Sequence, residues 1–222
     1  FLGNGAGGFS AAVPFDAGGP KLVAFAGDFN QDGNQDVVAG ANNNSTQIVL
    51  LAGQGDGTFT APVPFTVGAG PHSIIVDDFN NDGRPDVASA NTGAATLSML
   101  LGDGNGGFTV TSTGIPTINR IRKVGDLTGD GFADLIVADA PTGPLRLRMF
   151  PGDGSGGFAT PSDLNADPIT VATASGDLDG DGDLDLISTQ RASGGIAIQL
   201  NNGAGSFGPA TVWAAPAGGA VF

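Results

Sequence analysis

GDFNQDGNQDVVAG, Gly27 to Gly40, is the stretch that decides how this chain folds. It opens with a nine-residue loop, Asp28 to Asp36, carrying aspartate at positions 1, 5 and 9, glycine at 6 and a side-chain oxygen at 3. A short run of small apolar residues follows. The loop recurs as DFNNDGRPD (Asp78 to Asp86), DLTGDGFAD (Asp126 to Asp134) and DLDGDGDLD (Asp177 to Asp185). Successive starts lie 50, 48 and 51 residues apart. A period near fifty marks an array of small units that bury their core against one another.

A second mark falls between the loops. It reads LGNGAGGF (Leu2 to Phe9), LAGQGDGTF (Leu51 to Phe59), LGDGNGGF (Leu101 to Phe108), FPGDGSGGF (Phe150 to Phe158) and LNNGAGSF (Leu200 to Phe207). Glycine reaches positive φ without steric cost, so these stretches read as hairpin turns. Short β-prone runs lie between the marks. In the first full unit they are Leu22 to Ala26, Asp36 to Gly40, Thr46 to Leu51 and Thr58 to Phe65. In the second they are Ser73 to Asp77, Asp86 to Ala90, Thr96 to Leu101 and Gly107 to Thr113. No amphipathic helix of useful length interrupts them.

Four short strands per unit predict an all-β fold, a β-propeller of four-stranded blades. The expectation is a single repeat array over residues 1–222. It has a partial blade at 1–15, full blades at 16–65, 66–115, 116–165 and 166–213, and the start of a further blade at 214–222. A fragment of a larger array, or an open array whose ends are completed by neighbouring chains, fits that count. The closing phenylalanines are expected to pack between blades. The small apolar inner strands are expected to be buried on both faces.

The loops are a donor set for a hard cation. Calcium takes six to eight oxygens at about 2.3–2.6 Å, and magnesium demands a stricter octahedron. The expected ligands are Asp28, Asn30, Asp32, Asn34 and Asp36; Asp78, Asn80, Asp82, Arg84 and Asp86; Asp126, Thr128, Asp130, Phe132 and Asp134; and Asp177, Asp179, Asp181, Asp183 and Asp185. Position 7 (Asn34, Arg84, Phe132, Asp183) varies because only its carbonyl is needed. About four Ca2+ ions are expected, one per loop, with Thr128 weakening the third site and five aspartates strengthening the fourth. An EF-hand is excluded, since the twelfth residues are Ala39, Ser89, Val137 and Ser188 rather than glutamate.

All 22 acidic residues are aspartate, and 14 of them sit in the four loops, so the net charge of −14 largely describes the loops. Eight Lys and Arg in such a chain argue against nucleic acid or an anionic membrane as partner. No apolar run is long enough to span a bilayer. The absence of cysteine excludes disulfides and thiolate metal sites. The chain begins at Phe1 with no visible signal peptide, as expected of a mature or cut segment.

No catalytic set assembles. His72 is the only histidine and no nucleophile-elbow motif accompanies it. It is expected in a turn before a strand. Trp213, the sole tryptophan, aligns with Phe15 and Phe65 and is expected in an aromatic core position. Arg120, Arg122, Lys123, Arg146 and Arg148 form the one basic concentration, with Arg146 and Arg148 expected on a solvated strand face.

The aspartate loops paired with a downstream glycine turn ending in Phe resemble the FG-GAP and VCBS-type repeats that build calcium-binding propellers of integrin α subunits and many bacterial extracellular proteins. The resemblance spans nearly the whole chain, although the FG-GAP pattern itself is reduced to a glycine turn plus Phe. It implies loops between the first and second strands of each blade. It also implies a non-enzymatic, secreted or cell-surface module for adhesion, glycan or protein binding on a cell surface or matrix. Two alternatives stay open: a structural subunit that self-assembles through open blade ends, and an accessory domain of a larger secreted enzyme.

Overall fold

A computed structural model describes residues 6–11, 13–20, 23–41, 45–115, 118–139, 146–164, 170–190 and 195–213. Every regular element among them is a strand. Blade 1 contains β1 (Val23–Gly27), β2 (Asp36–Gly40), β3 (Gln47–Leu51) and β4 (Val63–Thr66). Blade 2 contains β5 (Pro71–Asp77), β6 (Asp86–Asn91), β7 (Thr96–Gly102) and β8 (Phe108–Gly114). Blade 3 contains β9 (Ile118–Gly125), β10 (Asp134–Asp139), β11 (Arg146–Phe150) and β12 (Ser162–Leu164). Blade 4 contains β13 (Thr170–Gly176), β14 (Asp185–Gln190), β15 (Gly195–Gln199) and β16 (Thr211–Trp213). Each blade is an antiparallel meander in which sequential strands pair. The chain is an all-β array of four propeller blades. Leu22 and the expected start of a further blade at 214–222 lie outside the described residues, as does the first half of the glycine mark at 2–9.

The second strand starts at the ninth loop residue in all four blades, as the apolar run after each aspartate predicts. The fourth strand departs from expectation in blade 1. Instead of one strand from Thr58 to Phe65, an isolated Gly53↔Phe59 bridge is followed by β4. Pro62 falls in the break and explains it, because proline has no amide to give to a ladder. Pro161 and Pro209 split blades 3 and 4 in the same way, leaving bridges at Gly152↔Phe158 and Asn201↔Phe207. Blade 2 has no proline there, and β8 runs unbroken from Phe108.

Packing is between blades. Phe29, Ile48 and Leu50 of blade 1 meet Ile74, Val87 and Leu100 of blade 2. Phe79, Leu97 and Met99 of blade 2 meet Ile121, Leu135 and Val137 of blade 3. Leu127, Leu147 and Met149 of blade 3 meet Leu186 of blade 4. Loop position 2 (Phe29, Phe79, Leu127) is a seam residue in each case. A fully buried side chain of that size contributes about 1.5–3 kcal/mol. The closing phenylalanines do pack across seams: Phe108 lies edge-on to Phe29 and Phe65, and Phe158 to Phe79. Phe9 is exposed.

Several expectations about single residues are corrected. β6 and, apart from half-buried Val37, β2 are buried on both faces, but β14 exposes Thr189 and β1 exposes Ala24, Phe25 and Ala26. His72 sits inside β5, at the register shift between Pro71 and Ser73, rather than in a preceding turn. Arg148 is half-buried, paired with Asp163 at 3.2 Å and placed over the Phe150 ring at 5.4 Å, so its strand face is not simply solvated. Trp213 is 67% exposed. Its counterpart Phe65 is covered by Phe108 of the next blade, and among the described residues no following blade reaches Trp213. Ile196 and Leu178 share that open face, although their counterparts Ile48 and Phe29 are buried.

Candidate metal centre

Each loop is tied together by its own carboxylates. Asp28 accepts the amides of Asp32 (3.1 Å) and Gly33 (2.9 Å), the fifth and sixth residues of its loop. Asp78 accepts Asp82 and Gly83 in the same way, and Asp126 accepts Gly129, Asp130 and Gly131. Asp177 accepts Gly180 and Gly182. Asn30 and Asn80, at position 3, each accept the amide at position 5 and donate back to its carboxylate. Position 5 accepts the amide of position 7: Asp32 from Asn34, Asp82 from Arg84, Asp130 from Phe132 and Asp181 from Asp183.

This wrapping needs two left-handed residues. Gly33, Gly83, Gly131 and Gly182 at position 6 have φ between 80° and 96°. Position 4 is also left-handed, with φ 56° at Gln31, 58° at Asn81, 72° at Gly129 and 85° at Gly180. Glycine signals that conformation in the sequence, asparagine does so weakly and glutamine does not. The side chains of Gln31 and Asn81 reach the carbonyls of Gly83 and Gly131 in the next loop.

Position 9 is different. Asp36, Asp86, Asp134 and Asp185 are fully buried. One oxygen of each accepts the amide of loop position 2, from Phe29, Phe79, Leu127 or Leu178. The other accepts an amide from the glycine turn, given by Gly53, Gly102, Gly152 or Asn201 at 2.7–2.9 Å. The carboxylate therefore clamps the aspartate loop to the glycine turn of its own blade. Sequence reading treated this residue only as a cation ligand. In blades 2 and 3 the turn is too tight for a side chain, because a Cβ on Gly102 or Gly152 would stand 2.5 Å from the carbonyl of Pro85 or Ala133. In blade 4 the position is Asn201, whose amide group donates to the carbonyls of Leu184 and, across the seam, Leu127.

Burial pushes the Asp86 carboxyl up to about 6, against the amides of Gly102 and Phe79, which pull it down. Asp82 and Asp78 add a smaller upward push. Asp134 is likewise raised, by burial first. Exposed Asp32 is held below its usual range by the Asn34 amide and the Asn30 side chain. A carboxyl raised in the native state binds protons that the unfolded chain does not, so stability is lost as pH rises through the folded value. In metal-free buffer the urea midpoint is therefore expected to be higher at pH 5 than at pH 7. An equal or lower midpoint at pH 5 contradicts the burial argument.

The donors fit an oxygen-loving cation. In loop 4, one carboxylate oxygen each from Asp177, Asp179 and Asp185 lie within 4.8 Å of one another. No other trio of carboxylates converges so closely among the described residues. Asp181 and Asp183 stand outside that trio. In loop 3 the Thr128 hydroxyl is buried with no hydrogen-bond partner, as a vacant ligand atom would be. The amides that hold positions 1 and 9 use part of the carboxylates' acceptor capacity, since each carboxylate offers about four lone-pair sites.

Four-stranded blades in series, each clamping an aspartate loop to a glycine turn, define a propeller-type repeat protein. The chain belongs to the FG-GAP-like repeat family, which matches residues 28–89, 78–125, 126–188 and 177–222. Among solved structures it is similar to an Agrocybe aegerita lectin described as recognising non-reducing terminal N-acetylglucosamine. The identity is 20% and the TM-score 0.58, over 85% of this chain and 51% of the lectin. That likeness is one of fold, and the chain spans about half the lectin's length. The V. cholerae biofilm matrix protein Bap1 is a weaker match, with TM-score 0.40 and 16% identity over 83% of this chain and 38% of Bap1. A comparison with curated proteins gives no match.

Proposed function

We propose that this chain is a non-catalytic, calcium-stabilised propeller module that works outside the cell in adhesion or in glycan or protein binding. The observation that carries the calcium reading is the convergence of Asp177, Asp179 and Asp185 in a loop whose backbone is repeated three more times. Calcium neutralises carboxylates that otherwise repel and fixes a turn that the aspartates alone only outline. Sites of this kind fill readily where calcium is millimolar, which favours the extracellular setting. The ligand class rests on the family and on a fold shared with a lectin. An assembly role through blade faces is supported by the exposed Leu178, Ile196 and Trp213.

Equilibrium dialysis against calcium is expected to give about four bound ions per chain, as the loop count implies. A glycan array probed in calcium and in chelator then tests the binding role. Calcium binding with no glycan bound removes the glycan reading, and no calcium binding removes the site assignment itself. Sedimentation of the calcium-loaded protein addresses assembly, and a strict monomer at high concentration excludes it.

A further inference from the structure

We infer that the seam between blades 2 and 3 holds a binding pocket for a small aromatic molecule. The argument starts from register. In each blade one residue of the fourth strand pairs with a seam residue of the third: Phe65 with Ile48, Thr113 with Leu97, Leu164 with Leu147 and Trp213 with Ile196. Ile48, Leu97 and Leu147 all face the following blade. Their cross-strand partners share that face. Phe65, Thr113 and Leu164 are therefore the same plug in three successive seams, each aimed at the closing phenylalanine of the next blade.

The size of the plug sets the space left in the seam. Phe65 fills its seam with a ring edge-on to Phe108, with centroids 5.0 Å apart and planes at 90°. Leu164 opposes Phe207 and leaves a cavity of about 170 Å3. Thr113 opposes Phe158 and leaves about 320 Å3. That larger volume lies near the lower end of the range for small-molecule sites, roughly 300–1,000 Å3. It is lined by buried Leu97 and Phe150, half-buried Phe158, and exposed Thr113 and Thr160 beside Arg148.

The occupant follows from the walls. Thr113 stands at the register position of Phe65, beside Phe158, which already packs edge-on to Phe79 and Phe150. Aromatic pairs of that geometry are favoured beyond their area burial. Arg148 is already neutralised by Asp163 at 3.2 Å and lies over Phe150. It forms a rigid side wall rather than a seat for an anion. Thr113 and Thr160 are the only uncharged polar side chains in the lining, which suits a ligand with one polar substituent. A neutral aromatic ring with a single hydroxyl matches these features, and a sugar, with polar groups on every edge, does not match the apolar floor.

The test uses 4-methylphenol as probe and amide chemical shifts of the calcium-loaded protein as readout. Saturable shifts are expected at Thr113, Ile115, Ala159 and Thr160, with weak affinity suited to so small a ligand. Thr113→Phe, which restores the plug of blade 1, is expected to weaken binding at least tenfold and to raise the melting temperature. Thr113→Leu, which copies blade 3, is expected to fall between Phe and wild type, and it carries the test if the larger side chain impairs folding. Shifts that fail to saturate, or equal binding by wild type and the Thr113 variants, would overturn the proposal. So would binding of methyl N-acetylglucosaminide at these residues in preference to the phenol.

Discussion

Stripping calcium is expected to lower the melting temperature by on the order of 20 °C, the largest effect of any solution condition on this chain. A ligand that binds only the native state at about 100 times its dissociation constant adds about 2.7 kcal/mol per site. For a chain of this size, 1 kcal/mol moves the melting temperature by roughly 2–4 °C. Two well-filled sites therefore suffice for a shift of roughly 10–20 °C, and four exceed it. Fourteen aspartates in the loops also repel once the ions leave.

The loss does not stay local. Loops 1 and 2 hydrogen-bond to the loops that follow them through Gln31 and Asn81. Gly106 and Gly156 donate to the carbonyls of Phe29 and Phe79 in the preceding loops. In a stacked array, stability is close to a sum of repeat and neighbour-interface contributions, so loosening a loop also loosens a seam. Scanning calorimetry with calcium, with chelator and with magnesium in place of calcium measures this. Magnesium is expected to restore only part of the loss, because its stricter octahedron suits these loops poorly. A shift of less than about 3 °C on chelation contradicts the site assignment, since by size scaling it corresponds to about 1 kcal/mol at most. Full recovery with sodium chloride at matched ionic strength reassigns the effect to charge screening.

The architecture was legible because aspartate and glycine are informative through spacing alone. The loop fixed where β2, β6, β10 and β14 begin to the residue, since each ninth aspartate is followed by an apolar run. The fourth strands were less legible, because whether a ladder continues depends on which amides are missing at Pro62, Pro161 and Pro209. That the loop aspartates gather in one turn was also visible in outline. The left-handed fourth loop residue was not, as Gln31 adopts a conformation that its side chain does not announce and Asn81 announces only weakly. Trp213 and Arg148 were misplaced for a shared reason. Alignment within the repeat identifies a strand face, but what covers that face is set by the neighbouring blade. The clamp made by the ninth aspartate was hidden because burial and the partner amide of the glycine turn, some 16 residues away, arise only on folding.

That clamp yields the largest mutational prediction, one that separates a clamp from a cation ligand. Asp134 accepts the amides of Leu127, Thr128 and Gly152 at 2.7, 3.0 and 2.8 Å. Asp134→Ala leaves three donors without an acceptor in a buried site, and each such donor costs about 1–3 kcal/mol. A total of roughly 3–6 kcal/mol follows if these costs partly overlap. One effect opposes the loss. Burial raises the Asp134 carboxyl, so its ionised form is disfavoured and deletion relieves that strain. The neutral acid still accepts these amides through its oxygens, so the metal-free comparison belongs at pH 5, where ionisation costs least. Asp130 is the control: it is exposed and ties only the Phe132 amide. Without metal, Asp130→Ala is expected to lie within about 0.5 kcal/mol of wild type, as surface changes usually do. In calcium at pH 7 it is expected to lose the contribution of its site. Asp134→Ala is expected to be destabilised in both buffers, as read from urea midpoints. If the two variants behave alike, stable without metal and weakened only with it, position 9 is a ligand and nothing more. If Asp134→Ala falls in both buffers and Asp130→Ala only in calcium, the buried carboxylate holds the blade together before any ion arrives, and the ion completes a turn that the clamp has already drawn closed.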